Sequence, residues 1–265
     1  LQMHLICLRY YFEFTDMQGE KVYYGNYEFS KECITNRDRM FDCPQNLREE
    51  EMFDVPKWAA NKVVYQVFPS RFAASQPVEK DLWYKAPVTP EDNLHGDLRG
   101  VIEHLDYIQK LGIDVLYLTP IFQSNSCHKY DTIDYYQIDP SFGTTEDLKE
   151  LVQKAHECGM KVVLDAVFNH TGREFFAFAD IMEKQEKSKY LDWYFIEGFP
   201  LKSDLEDVPN FKSFAYYAGM PKLNLKNPEV EKFVTDVACY WIKECDIDGW
   251  RMDVGDEISH FFWKR

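Results

Sequence analysis

Arg251 and Asp253 form the pair whose residue types and spacing most directly indicate chemistry. They lie two residues apart in the segment 246–254, DIDGWRMDV, which predicts a β-strand. Side chains at positions i and i+2 of a strand point to the same face, so both would enter one cavity. A guanidinium favours the ionised form of a neighbouring carboxylate, and a fixed, ionised carboxylate suits a covalent nucleophile that attacks an anomeric carbon. A structural Arg–Asp ion pair is the alternative interpretation.

Further polar residues follow two neighbouring predicted strands. Asp165 and His170 lie near the end of one strand, and His128 and Tyr130 follow another. Active sites of parallel α/β architectures lie at this end of the strands. The alternatives are that each histidine is a neutral core residue and that the tyrosine is a packing residue. A zinc site is not supported, because the sequence contains no HExxH and no Cys/His set at ligand spacing.

The strands that must position these residues are continuous apolar runs, at 61–68, 113–120, 161–168 and 246–254. Such runs are typical of parallel strands that are covered on both faces. Amphipathic helices are predicted between them, at 96–112, 144–159 and 227–244. The alternation predicts a parallel sheet with right-handed crossovers, although periodicity does not distinguish a barrel from a doubly wound sheet. Glycine-rich phosphate loops are absent, which argues against a nucleotide-binding fold.

Helix-terminal residues mark the ends of these predicted helices. Gly112 and Gly159 stand where a helix is followed by a left-handed residue, and Asn227 with Pro228 predicts a helix start. Before residue 50 the sequence pattern is different. Two segments rich in aromatic residues, 8–14 and 21–29, predict a β-hairpin around the turn TDMQGE. We interpret this part as the end of a small β domain.

Composition excludes several classes of protein. With 45 acidic and 30 basic residues the net charge is −15, which argues against nucleic-acid binding. The 45% of hydrophobic residues are enough for a sizeable core. No apolar run approaches the roughly 18 residues of a membrane span, so no membrane association is expected. The seven cysteines form no CxxC pair and predict free thiols in the cytoplasm. The start at Leu1 indicates a cut sequence, upstream of which a signal peptide would go unseen.

Together these motifs resemble the α-amylase superfamily of retaining α-glucan hydrolases, glycoside hydrolase family 13. DAVFNH (165–170) and GWRMDV (249–254) are similar to its signatures at the ends of the third and fourth barrel strands. Three further segments resemble the neopullulanase, cyclomaltodextrinase and maltogenic amylase group: YQVFPSRF (65–72), HKYDTIDYYQIDPSFG (128–143) and MPKLN (220–224). The resemblance extends over nearly all of the chain from residue 58.

The resemblance implies a fold of class α/β. Residues 53–265 would form the first half of a TIM (β/α)8 barrel, strands one to four, with an inserted domain B at about 171–222. Residues 1–52 would be the end of an amino-terminal β-sandwich domain and a linker. In relatives this sandwich helps to form a dimer, so a homodimer is implied for the full-length protein.

The resemblance also implies roles for single residues. Asp253 matches the catalytic nucleophile, and Arg251 matches the arginine that orients it. Substrate contacts are implied for five more residues: His128, Tyr130, Asp131, Asp165 and His170. The implied activity is double displacement on α-1,4-glucosidic bonds of cyclodextrins, maltooligosaccharides or pullulan, with an α-glucan oligosaccharide as substrate.

The family's general acid is a glutamate after the fifth strand, whereas this chain ends at Arg265, after the fourth. Glu257 is too close to Asp253 to be that acid. We therefore interpret the chain as a fragment of a longer enzyme and expect it to be inactive alone.

No cofactor and no metal are expected. Relatives often hold calcium in an Asn/Asp-rich loop after the first strand, but here that loop reads AASQPVEK (73–80), and Asp97 alone does not make a site. Asn169, a calcium ligand in many α-amylases, is interpreted as structural in this group. Asn224 stands where calcium-binding relatives tend to have aspartate.

Two other functions stay open. One is a non-catalytic amylase-like barrel that acts as a partner protein, against which the joint presence of Asp253, Arg251 and His170 argues. The other is an α-glucosidase or transglycosylase of the same superfamily, against which the segment MPKLN (220–224) argues.

Overall fold

The computed structural model describes residues 8–26, 28–43, 55–89, 92–206 and 208–263. The chain divides into two compact units, Leu1–Ala60 and Asn61–Arg265, each of which is described separately below. The domain boundary predicted between residues 52 and 53 lies outside the described residues.

The smaller unit contains two small antiparallel sheets. Its described strands are β1 (Leu8–Tyr10), β2 (Phe12–Thr15), β3 (Lys21–Gly25), β4 (Glu28–Ser30) and β5 (Phe41–Cys43). One sheet has the order β2-β3-β4, and the other pairs β1 with β5. The β-sandwich predicted for this part stays a prediction.

The predicted hairpin is present, with narrower bounds than the sequence indicated. Strands β2 and β3 pair with Thr15 opposite Lys21. The carboxylate of Asp16 accepts the backbone N–H groups of Gln18 (2.8 Å) and Glu20 (2.9 Å), which closes the turn. Residues 8–10 do not belong to the hairpin, because β1 pairs with β5 instead.

The larger unit is built on a parallel sheet. Its described strands are β6 (Val64–Val67), β7 (Val115–Leu118), β8 (Phe122–Gln123), β9 (Asp134–Ile138), β10 (Lys161–Ala166) and β11 (Gly249–Met252). Strands β6, β7, β10 and β11 are all parallel and neighbour each other in that order, whereas β8 and β9 form a separate antiparallel pair. The predicted parallel sheet is therefore confirmed. Within this sheet the strands keep their order in the sequence, as is typical of a barrel, without the reversal that a doubly wound sheet requires.

Helices connect and cover these strands. They are α1 (Pro69–Phe72), α2 (Lys80–Trp83), α3 (Leu98–Glu103), α4 (Leu105–Lys110), α5 (Thr145–Glu157), α6 (Phe176–Lys184), α7 (Pro228–Cys245) and α8 (His260–Trp263). Short 3₁₀ helices lie in the same unit at Gln185–Lys187, Leu191–Trp193, Phe214–Tyr216 and Gly255–Glu257. Another, Lys57–Ala59, lies just before this unit. Within the described residues, no helix combines the length and apolar character that crossing a bilayer requires.

Helix ends follow the sequence signals closely. Asn227 caps α7 by accepting the N–H of Glu229 (2.8 Å), and Pro228 is its first residue. Gly112 and Gly159 both adopt positive φ, 77° and 78°, directly after helices, where a side chain would be strained.

One predicted helix is divided in two. The sequence predicts a single helix over 96–112, whereas α3 ends at Glu103 and α4 begins at Leu105. His104 lies between them with φ −111° and ψ 12°. Its ring nitrogen Nδ1 lies 2.8 Å from the carbonyl oxygen of Gly100, the acceptor that a continuous helix would use for the backbone N–H of His104. The side chain thus competes with the helical hydrogen bond, and this prediction was wrong.

Helix α7 packs against the strand pair β8 and β9, between which lies a loop that contributes residues to the site. Trp241 is fully buried on α7 and stacks on Phe122, with ring centroids 5.0 Å apart. Its indole N–H donates to the carbonyl oxygen of Tyr135 at 2.7 Å. A buried aromatic side chain stabilises the fold by about 2–3 kcal/mol through burial alone, and its polar atom here is paired.

Candidate active site

The loop between β8 and β9 presents His128 and Tyr130 on one side and Lys129 on the other. Lys129 adopts φ 63°, and its Nζ lies 2.8 Å from Oδ2 of Asp139 with both side chains buried. Nδ1 of His128 accepts the backbone N–H of Tyr130 and lies 3.1 Å from Oγ of Ser126. Because the side chain of Lys129 points into the protein, the side chains of His128 and Tyr130 before and after it point to the other side of the loop.

Asp165 is the penultimate residue of β10. Its carboxylate is 1% exposed, and Oδ2 accepts hydrogen bonds from the hydroxyls of Tyr117 and Tyr130, the latter at 3.1 Å. Nη1 of Arg251 donates to Oδ1 at 3.2 Å. Burial raises the pKa of Asp165, and the Tyr117 hydroxyl and the guanidinium act in the opposite direction. Burial also raises the pKa of Tyr130 to about 12, so its phenol stays protonated and is able to donate.

Arg251 joins two carboxylates. The same Nη1 that reaches Asp165 donates to Oδ1 of Asp253 at 2.7 Å. The backbone N–H of Asp253 donates to the carbonyl oxygen of Ala166 at 3.1 Å, so the end of β11 is tied to β10. The next residue, Val254, has φ 48°, a region that a β-branched residue rarely adopts. The backbone is therefore strained directly beside the carboxylate, as is common at functional sites.

His170 forms another wall of the site. It is 1% exposed, and its ring stacks on Phe214 with centroids 5.2 Å apart and planes 20° apart. Nε2 donates a hydrogen bond to the carbonyl oxygen of Tyr130 at 3.1 Å. Burial lowers the pKa of His170 to about 4, so at neutral pH this side chain is an uncharged imidazole.

These groups enclose a cavity of about 270 Å³, lined by His128, Tyr130, His170, Phe214, Met220 and Asp253. Among the described residues that line this cavity, Asp253 provides the carboxylate, and Arg251 holds that carboxylate by a hydrogen bond. Aromatic faces beside a few fixed polar groups suit a ligand with both C–H surfaces and hydroxyls.

Not every residue predicted for the site contacts this cavity. Asp165 is fully buried behind Tyr130 and Arg251. Asp131 points into its own loop, where Oδ1 accepts hydrogen bonds from the hydroxyls of Ser124 (2.5 Å) and Ser126. The structure thus brings His128, Tyr130, His170 and Asp253 to one cavity, whereas direct ligand contacts of Asp165 and Asp131 stay predictions.

A second polar cluster lies beside the cavity. Nδ2 of Asn169 donates to Oε2 of Glu257 at 3.3 Å, and Lys222 forms an ion pair with the same carboxylate. The hydrogen bond from Lys222 lowers the pKa of Glu257. This cluster joins the end of the 171–222 segment to the turn after β11.

Sequence reasoning missed three residues of the site. Tyr117 lies in a strand that was predicted correctly, and its position on the inward face of that strand could have identified it as a candidate site residue. Met220 belongs to the MPKLN segment but was given no role. Phe214 lies in no motif, and its contact with His170 comes from the path of a long insertion.

The residues of the loop after β6 do not suit the calcium site that the family resemblance suggests for this loop. The carboxylate of Asp97 is engaged by the hydroxyl of Ser75 (2.7 Å) and by the backbone N–H of Gly100 (2.6 Å). One carboxylate already held by hydrogen bonds is a poor donor set for calcium, which takes six to eight oxygens. Across the residues that the structure describes, no group of three or more His, Cys, Asp or Glu residues could hold a metal ion. The expected absence of calcium stays a prediction.

Comparison with known proteins gives one consistent result. Residues 66–262 match the family described as Alpha amylase, catalytic domain. A cyclomaltodextrinase of Thermoanaerobacter pseudethanolicus is 46% identical over 261 residues, which are 97% of this chain and 45% of the relative. Neopullulanase 2 of Thermoactinomyces vulgaris is 44% identical over 263 residues, which are 97% of this chain and 44% of the relative.

A solved structure of a cyclomaltodextrinase is similar with a TM-score of 0.75 at 43% identity, covering 97% of this chain and 44% of that one. The chain thus spans less than half the length of these relatives.

Proposed function

This chain belongs to the α-amylase family, and on that premise we propose that it carries the nucleophile of a retaining glycoside hydrolase that cleaves α-1,4-glucosidic bonds. The family and its solved neighbour imply a TIM barrel, to which the four parallel strands β6, β7, β10 and β11 correspond. The finer division is part of the proposal: strands one to four in 53–265, domain B at about 171–222 and the end of a β-sandwich in 1–52.

The ion pair between Arg251 and Asp253 at the cavity carries the proposal. A carboxylate that is to attack an anomeric carbon must be ionised and held still. The guanidinium holds this carboxylate in place, since it donates to Oδ1 at 2.7 Å and leaves Oδ2 as the attacking atom. Arg251 is in turn fixed by buried Asp165.

In the first step Oδ2 of Asp253 bonds to the anomeric carbon while the glycosidic C–O bond breaks. The departing oxygen takes a proton from a general acid, which leaves a glycosyl ester on Asp253. Water then attacks the same carbon while the conjugate base of the general acid takes its proton. The bond from this carbon to Asp253 breaks, which releases the carboxylate and gives a product of retained configuration. Tyr130 would lie under the reacting sugar, and His128 and His170 would bind its hydroxyls.

The general acid must be a different carboxyl, at about 5–5.5 Å from the nucleophile. Glu257 is unsuited to this role, because its ion pair with Lys222 lowers its pKa and keeps it ionised. We place the acid outside residues 1–265 and expect these residues alone to be inactive.

The names of two relatives, cyclomaltodextrinase and neopullulanase, support a substrate class. We propose cyclodextrins, maltooligosaccharides or pullulan as substrates, with action in the cytoplasm, no calcium requirement and a homodimer of the full-length protein. The engagement of Asp97 by Ser75 and Gly100 supports independence from calcium.

Replacement of the nucleophile tests the proposal. In the full-length gene product, Asp253→Asn should lower hydrolysis of β-cyclodextrin by at least about 10³-fold, since removal of a covalent nucleophile has effects of this order or larger. Asp256→Asn, an exposed change three residues away, should leave the rate within about twofold. Wild-type turnover by Asp253→Asn would overturn the assignment.

A further inference from the structure

Tyr117 is a buried tyrosine at the centre of the sheet that does not line the cavity. It lies on β7 opposite Val163 of β10, so its side chain and that of Asp165, two residues after Val163, share one face. It is 8% exposed, and its hydroxyl donates to Oδ2 of Asp165, the same oxygen that the Tyr130 hydroxyl reaches at 3.1 Å.

Asp165 faces charged or titratable groups on each element packed against it. These are Tyr117 on β7, Tyr130 on the loop before β9, and Arg251 and Asp253 at the end of β11. A carboxylate with no solvent contact needs each of its donors, because burial favours the neutral form. Loss of one donor would therefore weaken both the charge and the orientation of Asp165.

We propose that Tyr117 is a positioning residue, which holds Asp165 so that this carboxylate can orient Tyr130 and, through Arg251, the nucleophile Asp253. The proposal rests on the function proposed above. Two contacts run outward from Asp165: one to the tyrosine under the sugar, the other to the arginine that fixes the attacking carboxylate.

Tyr117→Phe removes the hydroxyl but keeps the ring, so it tests the contribution of the hydroxyl alone. The guanidinium of Arg251 lies over the Tyr117 ring, 5.9 Å from its centroid, and phenylalanine preserves a face for this contact. Tyr194→Phe is the matched control, because Tyr194 is also buried and its hydroxyl pairs with Oγ1 of Thr171 (2.9 Å) instead of Asp165. Both variants lose one buried hydrogen bond, so a purely structural role predicts similar effects.

The first test compares β-cyclodextrin hydrolysis by both variants of the full-length gene product. For Tyr117→Phe, kcat/KM should fall about tenfold, since a hydrogen bond to a charged group is lost. The acid limb of its pH profile should move to higher pH, because Asp165 loses a donor that favours its ionised form. Tyr194→Phe should keep the wild-type limb, with similar thermal unfolding in both. An unmoved acid limb in Tyr117→Phe would overturn the proposal.

The second test uses maltotriose affinity, measured by calorimetry with every variant in an Asp253→Asn background so that the ligand is not hydrolysed. If Tyr117 acts through Asp165, Tyr117→Phe should weaken binding where Asp165 is kept but change it by less than about twofold where Asp165→Asn is also present. Equal losses with and without Asp165→Asn would contradict the proposal. If the protein with Asp253 intact proves inactive but this coupling is still measured, the proposed function is overturned and the positioning role stays intact.

Discussion

Nζ of Lys129 lies 2.8 Å from Oδ2 of Asp139, and the two side chains are only 8% and 7% exposed. Lys129 also donates to the carbonyl oxygen of Ser124 at 3.1 Å, so the ammonium group is held on two sides. Lys129 lies between the two cavity residues His128 and Tyr130 in sequence. It therefore anchors the loop that presents them.

Loss of the lysine should destabilise the protein strongly. Lys129→Met leaves the carboxylate of Asp139 buried without its counter-ion, and we expect the free energy of unfolding to fall by about 3 kcal/mol or more. The matched control is Lys149→Met, because Lys149 forms an exposed ion pair with Glu244 and its loss should change the free energy of unfolding far less.

Denaturant unfolding of the full-length gene product measures both changes. The double variant Lys129→Met with Asp139→Asn should recover part of the loss, since no unpaired charge remains. Equal stability of Lys129→Met and Lys149→Met would show that the buried pair does not support this loop.

Stability should also depend on pH through Asp139. Burial favours the neutral form of this carboxyl, but hydrogen bonds from Lys129 and Ser141 outweigh burial, and its pKa lies below the ordinary 3.8. A carboxyl with a lowered folded-state pKa contributes stability that is present above its unfolded pKa and is lost as the pH falls through the folded one. The free energy of unfolding should therefore fall below about pH 4.

Urea titrations at a series of pH values from about 6 to about 3 measure this dependence. Asp139→Asn should show a shallower decline than the wild type. Asp147 and Asp248, whose pKa values are also lowered, should maintain the remaining slope. Parallel curves for the variant and the wild type would contradict the role of Asp139.

Tyr130 should contribute to the reaction in two separable ways. Tyr130→Phe removes the hydrogen bond to Asp165 but keeps the ring, so we expect kcat/KM for β-cyclodextrin to fall about tenfold. Tyr130→Ala also removes the surface on which the sugar would lie and should cost at least about another tenfold.

Tyr136→Phe is the control for these variants. Tyr136 belongs to the same 128–143 segment, but its ring packs on Tyr240 of α7, with centroids 5.1 Å apart. Steady-state kinetics should give near wild-type values for this variant. Equal rates for Tyr130→Phe and Tyr130→Ala would rule out a role of the ring in substrate binding.

Local patterns predicted most of the framework. The apolar runs identified the four parallel strands, and Asn227, Gly112 and Gly159 marked helix ends that the structure confirms. These features depend on neighbours within a few residues, so the sequence contains the needed information. The division of the 96–112 helix at His104 was missed, because its side chain competes with the backbone for one carbonyl.

The sequence by itself determined which residues could do chemistry and near which strands they lie. The spacing of Arg251 and Asp253 predicted that both share one face of a strand over 246–254. In the structure β11 ends at Met252, so Arg251 lies on the strand and Asp253 follows it, and their side chains still meet. Only the tertiary structure decided how these residues are held. Tyr117 and Asp165 are 48 residues apart and meet because β7 and β10 pair in one register. Lys129 is able to point inward because the packed fold brings the counter-ion Asp139 beside it, without which a buried charge is strongly destabilising.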